Sequence, residues 1–210
     1  MRKFLIGVLW ITGILAIIVL VLRLTVFKLW TIPDDLVLDS SLRPSLQSGD
    51  IVVLLTAGDR GFGSLVRCTD PEDAQRYVVG RIVGLEGDEI LVKPPMVTVN
   101  GTLYNKGDEC GFNNFEVPHP TSGAPVQASC SRIEMGGGWH YRASVTSPEA
   151  ESKHKVGPGR VFLLSDDRTF HDDSRDFGAV LASTCTEMIV FRLWGKGGWS
   201  DAQRRLMYIR

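Results

Sequence analysis

The sequence predicts a mostly β domain carried on a single N-terminal transmembrane helix. Three observations lead there. Phe4 to Leu22 runs for 19 residues without a charge, Pro, Asn or Gln. Beyond it, short runs rich in Val, Ile and Leu recur between turns containing Gly, Asp or Asn. No stretch of about twelve residues or more places its apolar positions at helical spacing.

At about 1.5 Å per residue the apolar run reaches roughly 28 Å, close to the hydrocarbon thickness of a bilayer. Arg2 and Lys3 precede it, which favours a cytoplasmic N-terminus. Arg23 and Lys28 follow, placed to snorkel outward, with Trp10 and Trp30 toward the two interfaces. A cleaved leader carries a shorter apolar core of about 7–15 residues and a small-x-small site behind it; no such site stands before Trp30. The expected division is a cytoplasmic stub at 1–3, an anchor at 4–27 and an extracytoplasmic domain at 28–210. Met188 to Trp194 is too short for a second span and contains Arg192, so it reads as a strand.

The formal net charge of −1 conceals a segregation. Residues 1–30 hold four basic and no acidic residues, and 192–210 hold five basic and one acidic. The body between them has 14 basic and 23 acidic residues, which argues against a nucleic-acid partner, whose footprint is a basic face. Trp194, Trp199, Arg192, Lys196, Arg204, Arg205 and Arg210 give the tail a composition suited to anionic lipid.

Strands are expected at Ile51 to Leu55, Tyr77 to Val83, Glu89 to Val92, Val161 to Leu164 and Met188 to Leu193. Val97-Thr98-Val99 running into Asn100-Gly101 is a hairpin signal. Residues 105–157 are rich in Gly, Pro, Ser and Asn and read as a loop-rich insertion. Cys68, Cys110, Cys130 and Cys185 include no CxxC or His-x-x-Cys spacing, so no metal site is expected. Outside the cytoplasm disulfides form readily, and Cys110 with Cys130, in one Gly/Pro-rich stretch, is the best candidate pair.

Three clusters carry the chemistry. The first is Asp39-Ser40-Ser41-Leu42-Arg43-Pro44-Ser45-Leu46, followed by Gly49-Asp50-Ile51-Val52. The second is Gly80-Arg81-Ile82-Val83-Gly84-Leu85-Glu86-Gly87-Asp88. The third runs Ser165-Asp166-Asp167-Arg168-Thr169-Phe170-His171-Asp172-Asp173-Ser174-Arg175-Asp176-Phe177-Gly178. Singly, each reads as an ordinary turn, strand start or solvated ion-pair loop.

Together they resemble the type I signal peptidases, the bacterial leader peptidases. Those proteins follow a membrane anchor with Ser-Met-x-Pro-Thr-Leu, Gly-Asp-x-Val, Lys-Arg-x-x-Gly-x-Pro-Gly-Asp and Gly-Asp-Asn-Arg-x-x-Ser-x-Asp-Ser-Arg-x-Trp-Gly. The likeness spans nearly the whole chain except 105–157. It implies a β-rich serine endopeptidase on the outer, periplasmic face of the bacterial cytoplasmic membrane. Its partners would be membrane lipid and the signal peptides of precursor proteins, cut after small-x-small sites without a cofactor.

Carried over residue by residue, the resemblance makes Ser41 the nucleophile and its backbone N–H one oxyanion donor. Where many members place a second donor hydroxyl, this chain has Asp39, and Leu42 replaces the usual Met. Pro44, Gly49, Asp50, Arg81, Gly84, Gly87, Asp88, Asp166, Arg168, Asp173, Ser174, Arg175 and Gly178 match the motif framework. The general-base Lys is absent, because Gly80 occupies its position. His171 stands where a family serine hydrogen-bonds that Lys, and an imidazole is the usual base beside serine. Loss of the Lys side chain is expected to leave room between His171 and Ser41, with Asp172 or Asp173 orienting the ring. Three readings stay open: His171 as base, another base such as Lys93, and a site without a base. The last describes a non-catalytic homologue serving as an export or pilus assembly factor.

Overall fold

The computed structural model describes residues 2–104, 110, 115–136, 138–145 and 150–209. Helix α1 (Arg2–Thr25) stands clear of the packed domain, and its stretch Ile6–Arg23 is long and apolar enough to cross a membrane. The chain continues through β1 (Phe27–Thr31), α2 (Leu36–Leu42), β2 (Ile51–Leu55), β3 (Leu65–Thr69), β4 (Tyr77–Gly84), β5 (Glu89–Lys93), β6 (Met96–Val99) and β7 (Thr102–Tyr104). It then forms β8 (Phe115–Pro118), β9 (Pro125–Met135), β10 (Gly138–Ser144), β11 (Ser152–Lys155), β12 (Arg160–Leu164), α3 (Ser174–Phe177), β13 (Val180–Leu181), β14 (Glu187–Trp194) and β15 (Met207–Tyr208).

The strands make three antiparallel sheets. The largest runs β1-β2-β14-β3-β4-β12-β13 with β15 added on β14; the others run β10-β9-β8 and β11-β5-β6-β7. The strands read from the sequence lie where expected, and the Asn100-Gly101 turn joins β6 to β7, with Val99 opposite Thr102.

Two expectations change. The segment read as loop-rich contains four strands, including the eleven-residue β9. Its sequence, Pro-Val-Gln-Ala-Ser-Cys-Ser-Arg-Ile-Glu-Met, buries only Ile133 and Met135 fully. Cross-strand pairing with β10 and β8 supplies what intrinsic propensity does not. Lys28 and Trp30, read as interface anchors, belong to β1, which pairs with β2. Lys28 Nζ lies 3.0 Å from Glu187, and the Arg67 guanidinium sits 4.6 Å over the Trp30 ring.

Packing explains why β12 is central. Val161 and Leu163 enter one core with Val66, Val78 and Ile82, whereas Phe162 and Leu164 enter another with Val83, Ile90 and Ile133. The two-residue period of a strand thus buries both faces. At Gly84 an added Cβ would lie 2.1 Å from the Ile90 side chain, so glycine lets the second sheet close on β4. Cys110 is bonded to Cys130 as expected; Cys68 is also bonded to Cys185, tying β3 to the chain before β14.

Candidate active site

Helix α2 exists because Asp35 caps it, its Oδ1 accepting the Leu38 N–H at 3.0 Å. Leu38 and Leu42, one turn apart, pack with Leu46 into the main-sheet core. That registration turns Ser41 inward, where it is 1% exposed, and its Oγ donates to the Leu38 carbonyl at 3.0 Å. As the sixth of seven helical residues, Ser41 directs its N–H along the helical ladder toward Val37. Asp39 is held off the hydroxyl: its Oδ1 accepts the Ser48 N–H at 2.7 Å and its Oδ2 faces Arg43 at 3.1 Å.

The three sequence clusters meet at Asp166. Its Oδ1 accepts from Arg81 Nε at 2.7 Å, and its Oδ2 accepts from Arg81 Nη2 at 3.0 Å and from the Ser45 hydroxyl. All three side chains are buried, and the bidentate pairing satisfies charges that solvent does not reach. One residue on, the Asp167 N–H donates to the Ser41 carbonyl at 3.0 Å. Arg168 is fully buried and donates to the Ser165 carbonyl at 2.8 Å. Burial lowers its guanidinium to about 10.

Asp173 caps α3 and holds Arg175 through Nε at 3.0 Å and Nη2 at 2.8 Å, while its Oδ2 also accepts the Ser165 N–H at 2.8 Å. Ser174 Oγ accepts the Leu163 N–H at 2.9 Å, and Gly178 ends the helix at φ +81°. The motif residues Asp173, Ser174, Arg175 and Gly178 therefore build the loop that presents His171.

His171 is half-buried, with Nδ1 2.8 Å from Asp176 Oδ2. Asp176, not Asp172 or Asp173, is the carboxylate on the ring. Asp173 is saturated by Arg175 and backbone donors, and Asp172 faces Arg76 at 4.0 Å. The missed residue carried a signal: Asp173-x-x-Asp176 is an acidic capping box, and the same Asp176 oxygen accepts the Asp173 N–H at 3.1 Å. Burial alone would lower the His171 imidazole, but the Asp176 hydrogen bond and the charges of Asp173 and Asp176 outweigh burial and Arg175, leaving it above 6.5. His171, Asp173 and Asp176 cluster closely enough to suggest a metal site, yet the Arg175 fork occupies both Asp173 oxygens.

Gly80 lies against β12. A Cβ there would lie 3.1 Å from Leu163 Cβ and 3.3 Å from the Leu164 carbonyl oxygen. Strand β12 therefore crowds this Cβ position, which a side chain could take only if its neighbours gave by a few tenths of an ångström. No hydrogen bond joins His171 and Ser41. Lys93 lies at the exposed end of β5, in the separate four-stranded sheet.

The remaining motif residues are structural. Gly49 and Gly87 turn the chain into β2 and β5 at φ +82° and +89°, and Asp88 accepts the Leu85 N–H at 2.7 Å. Asp50 Oδ2 accepts from Arg204 Nη2 at 2.7 Å and lies 3.5 Å from Arg192. Two of the arginines read as lipid-facing are thereby committed to the core; Arg210 lies outside the described residues.

The hairpin of β8 and β9 covers this region. Ser40 Oγ lies 2.7 Å from the Pro118 carbonyl, Gly123 approaches Leu36, and His119 meets Phe170 edge-on at 5.2 Å.

Comparison with known proteins shows the family. The family described as "Signal peptidase, peptidase S26" matches residues 5–194. Signal peptidase I of Bacillus caldolyticus is 27% identical over 191 residues, covering 88% of this chain and 89% of the relative. With its anchor helix, β-sheet domain and three clusters joined at Asp166, this chain belongs to the S26 signal peptidase family.

Proposed function

We propose that the chain is a membrane-anchored serine endopeptidase, its domain on the outer face of the bacterial cytoplasmic membrane, that removes signal peptides after small-x-small sites. Ser41 is the nucleophile, His171 the base and Asp176 the group that orients the ring. The observation that carries this reading is the Nδ1 contact between His171 and Asp176. With its proton on Nδ1 the neutral imidazole offers Nε2 as the acceptor, the tautomer a serine-activating base needs.

In the reaction, Ser41 leaves the Leu38 carbonyl, His171 Nε2 takes the hydroxyl proton and Oγ attacks the scissile carbonyl. The imidazolium then gives that proton to the departing amine. Water, deprotonated by the same ring, attacks the acyl-enzyme; the C–O bond to Ser41 breaks, the ring returns its proton to Oγ and the carboxylate product leaves. Substrate binding has to lift the β8–β9 hairpin and open the last turn of α2, which frees the Ser41 N–H for the oxyanion. The test is cleavage of a membrane-tethered precursor by wild type, Ser41→Ala and His171→Ala. The proposal requires cleavage by the first alone.

A second reading, a non-catalytic homologue that holds exported chains, draws on a specific observation. Ser41 is buried, bonded to a backbone carbonyl, and without any titratable partner. Absence of cleavage by wild type across a broad panel of precursors decides for it.

A further inference from the structure

Strand β1 ends the main sheet, and among the described residues no strand pairs with its outer edge. Its phase against β2 follows from the bonds at its two ends. The Val26 carbonyl accepts the Thr56 N–H at 2.9 Å, and the Ile32 N–H donates to the Asp50 carbonyl at 3.0 Å. Residues of an antiparallel pair alternate between hydrogen-bonded and open positions, so the even-numbered residues from 26 to 32 turn their backbone groups to β2. Phe27, Leu29 and Thr31 therefore turn their N–H and C=O groups outward. Among the described residues nothing hydrogen-bonds to them there.

Proteins blunt a free sheet edge with brevity, charge, Pro or a cover. The other terminal strands follow that rule. β8 carries Pro118, whose carbonyl lies 2.7 Å from the Ser40 hydroxyl, and β10 bridges to Asp167 through Ala143. β11 carries Lys153 and Lys155, and β7, β13 and β15 run for three residues or fewer. β1 does not follow it. Its sequence, Phe-Lys-Leu-Trp-Thr, has no Pro, and Phe27 and Leu29 are 40% and 51% exposed. Its one charge, Lys28, is held by Glu187 at 3.0 Å.

We propose that this edge pairs with the same edge of a second copy of the chain, β1 antiparallel to β1 about Leu29. One register satisfies the outward groups of both chains: Leu29 opposite Leu29 of the second copy, and Phe27 opposite its Thr31. The charges are compatible in that register, because Lys28 comes opposite Trp30 of the second copy and no like charges face each other. Phe27 and Leu29 of both chains then share one face as a continuous apolar strip. A second copy suits the edge better than a passing peptide. Only Val26 separates α1 from β1, so the anchors hold every copy's edge at one height. So short a pairing falls below the roughly 1,000 Å² of a stable interface in water; confinement to one membrane raises the effective concentration that sustains it.

The experiment uses the full chain in phosphatidylcholine vesicles. All four cysteines are paired in disulfides, so an added cysteine is the single free thiol. Opposed residues of a hydrogen-bonded pair lie about 5.5 Å apart at Cα, within reach of a disulfide. Leu29→Cys should therefore cross-link to its twin under mild oxidation. Phe27→Cys and Thr31→Cys should each stay uncoupled alone, their twins lying about 13 Å away along the strands, and should cross-link when mixed. Leu29→Lys places like charges opposite each other at an exposed position. In energy transfer between labelled chains diluted with lipid, it should weaken association about tenfold and leave the thermal midpoint unchanged. A monomeric wild type, Leu29→Cys coupling no faster than Phe27→Cys or Thr31→Cys alone, or association unaltered in Leu29→Lys overturns the proposal. Coupling of Leu29→Cys to a cysteine-bearing precursor and not to its twin assigns the edge to an extended peptide and overturns it as well.

Discussion

The backbone N–H of Asp167 lies 3.0 Å from the carbonyl oxygen of Ser41, so the loop that carries His171 is hydrogen-bonded to the helix that carries the hydroxyl. Ser45 and Arg81 hold the neighbouring Asp166 from the other two clusters. The candidate nucleophile and base therefore sit on one buried polar unit, though they do not touch. A substitution in that unit perturbs both elements at once.

Restoring the family's residue is the first test of that packing. Because Leu163 Cβ and the Leu164 carbonyl crowd the Cβ position of Gly80, Gly80→Lys has to push them back. We expect a loss of about 1–3 kcal/mol of stability, typical of overpacking, seen as a lower thermal midpoint. Precursor cleavage should not increase. A Gly80→Lys protein of wild-type stability and raised activity would show that the lysine slot is still open.

Asp167 offers a test on stability alone. Burial raises its carboxyl to about 6, despite the N–H groups of Thr169 and Phe170 on Oδ1, and Oδ2 has no partner. A folded-state value above the unfolded 3.8 means that stability is full below 3.8 and falls as pH rises through about 6. Asp167→Asn, which writes the residue of the family motif, removes that ionisation. We expect it to stabilise the protein by about 1–3 kcal/mol at pH 8 and to change little near pH 4. Denaturant melts at the two pH values check the difference.

How much of this was legible beforehand follows from the kind of signal each element carries. β2, β4 and β14 are apolar runs long enough to be seen in sequence, because each is buried in the main sheet. β9 was missed since its alternation is between small and polar side chains, and its order comes from strand neighbours distant in sequence. Ser41 and His171 are candidates from motif spacing alone. The close approach of β12 to Gly80 was not legible, because a glycine leaves no record of what borders its missing side chain. Lys28 and Trp30 looked like interface anchors by proximity to α1, yet Glu187 and Arg67, far along the chain, claim them.

The tail has fewer groups free to meet a lipid surface than its composition suggests. Arg192 and Arg204 are held by Asp50, which leaves Trp199, 58% exposed with Arg205 stacked 5.1 Å from its ring, beside exposed Leu206 and Tyr208. A soluble form must begin before Phe27, because β1 completes the sheet edge. We expect residues 26–210 to bind anionic vesicles at low salt and detach at high salt. Trp199→Ser with Arg205→Gln should weaken that binding several-fold, while Arg204→Gln should lower stability more than binding. Absence of low-salt binding in co-sedimentation would remove the tail as a lipid contact.

The pH profile isolates the proposed base. Asp176 and Asp173 raise His171 above 6.5, so the active, deprotonated imidazole appears only as pH climbs past that raised value. Cleavage should therefore fall on the acid side from a midpoint above 6.5, and Asp176→Asn should move that midpoint down while lowering the maximal rate. Stability runs the other way. A raised histidine contributes its full share below 6.5 and loses it as pH rises through the folded value. The Asp176→Asn protein should accordingly lose more stability at pH 5.5 than at pH 8.5. Because Asp176 also completes the α3 capping box, Asp176→Glu serves as the control for the cap. An acid limb that stays fixed when Asp176 becomes Asn, with cleavage still dependent on Ser41, would assign the base to another group.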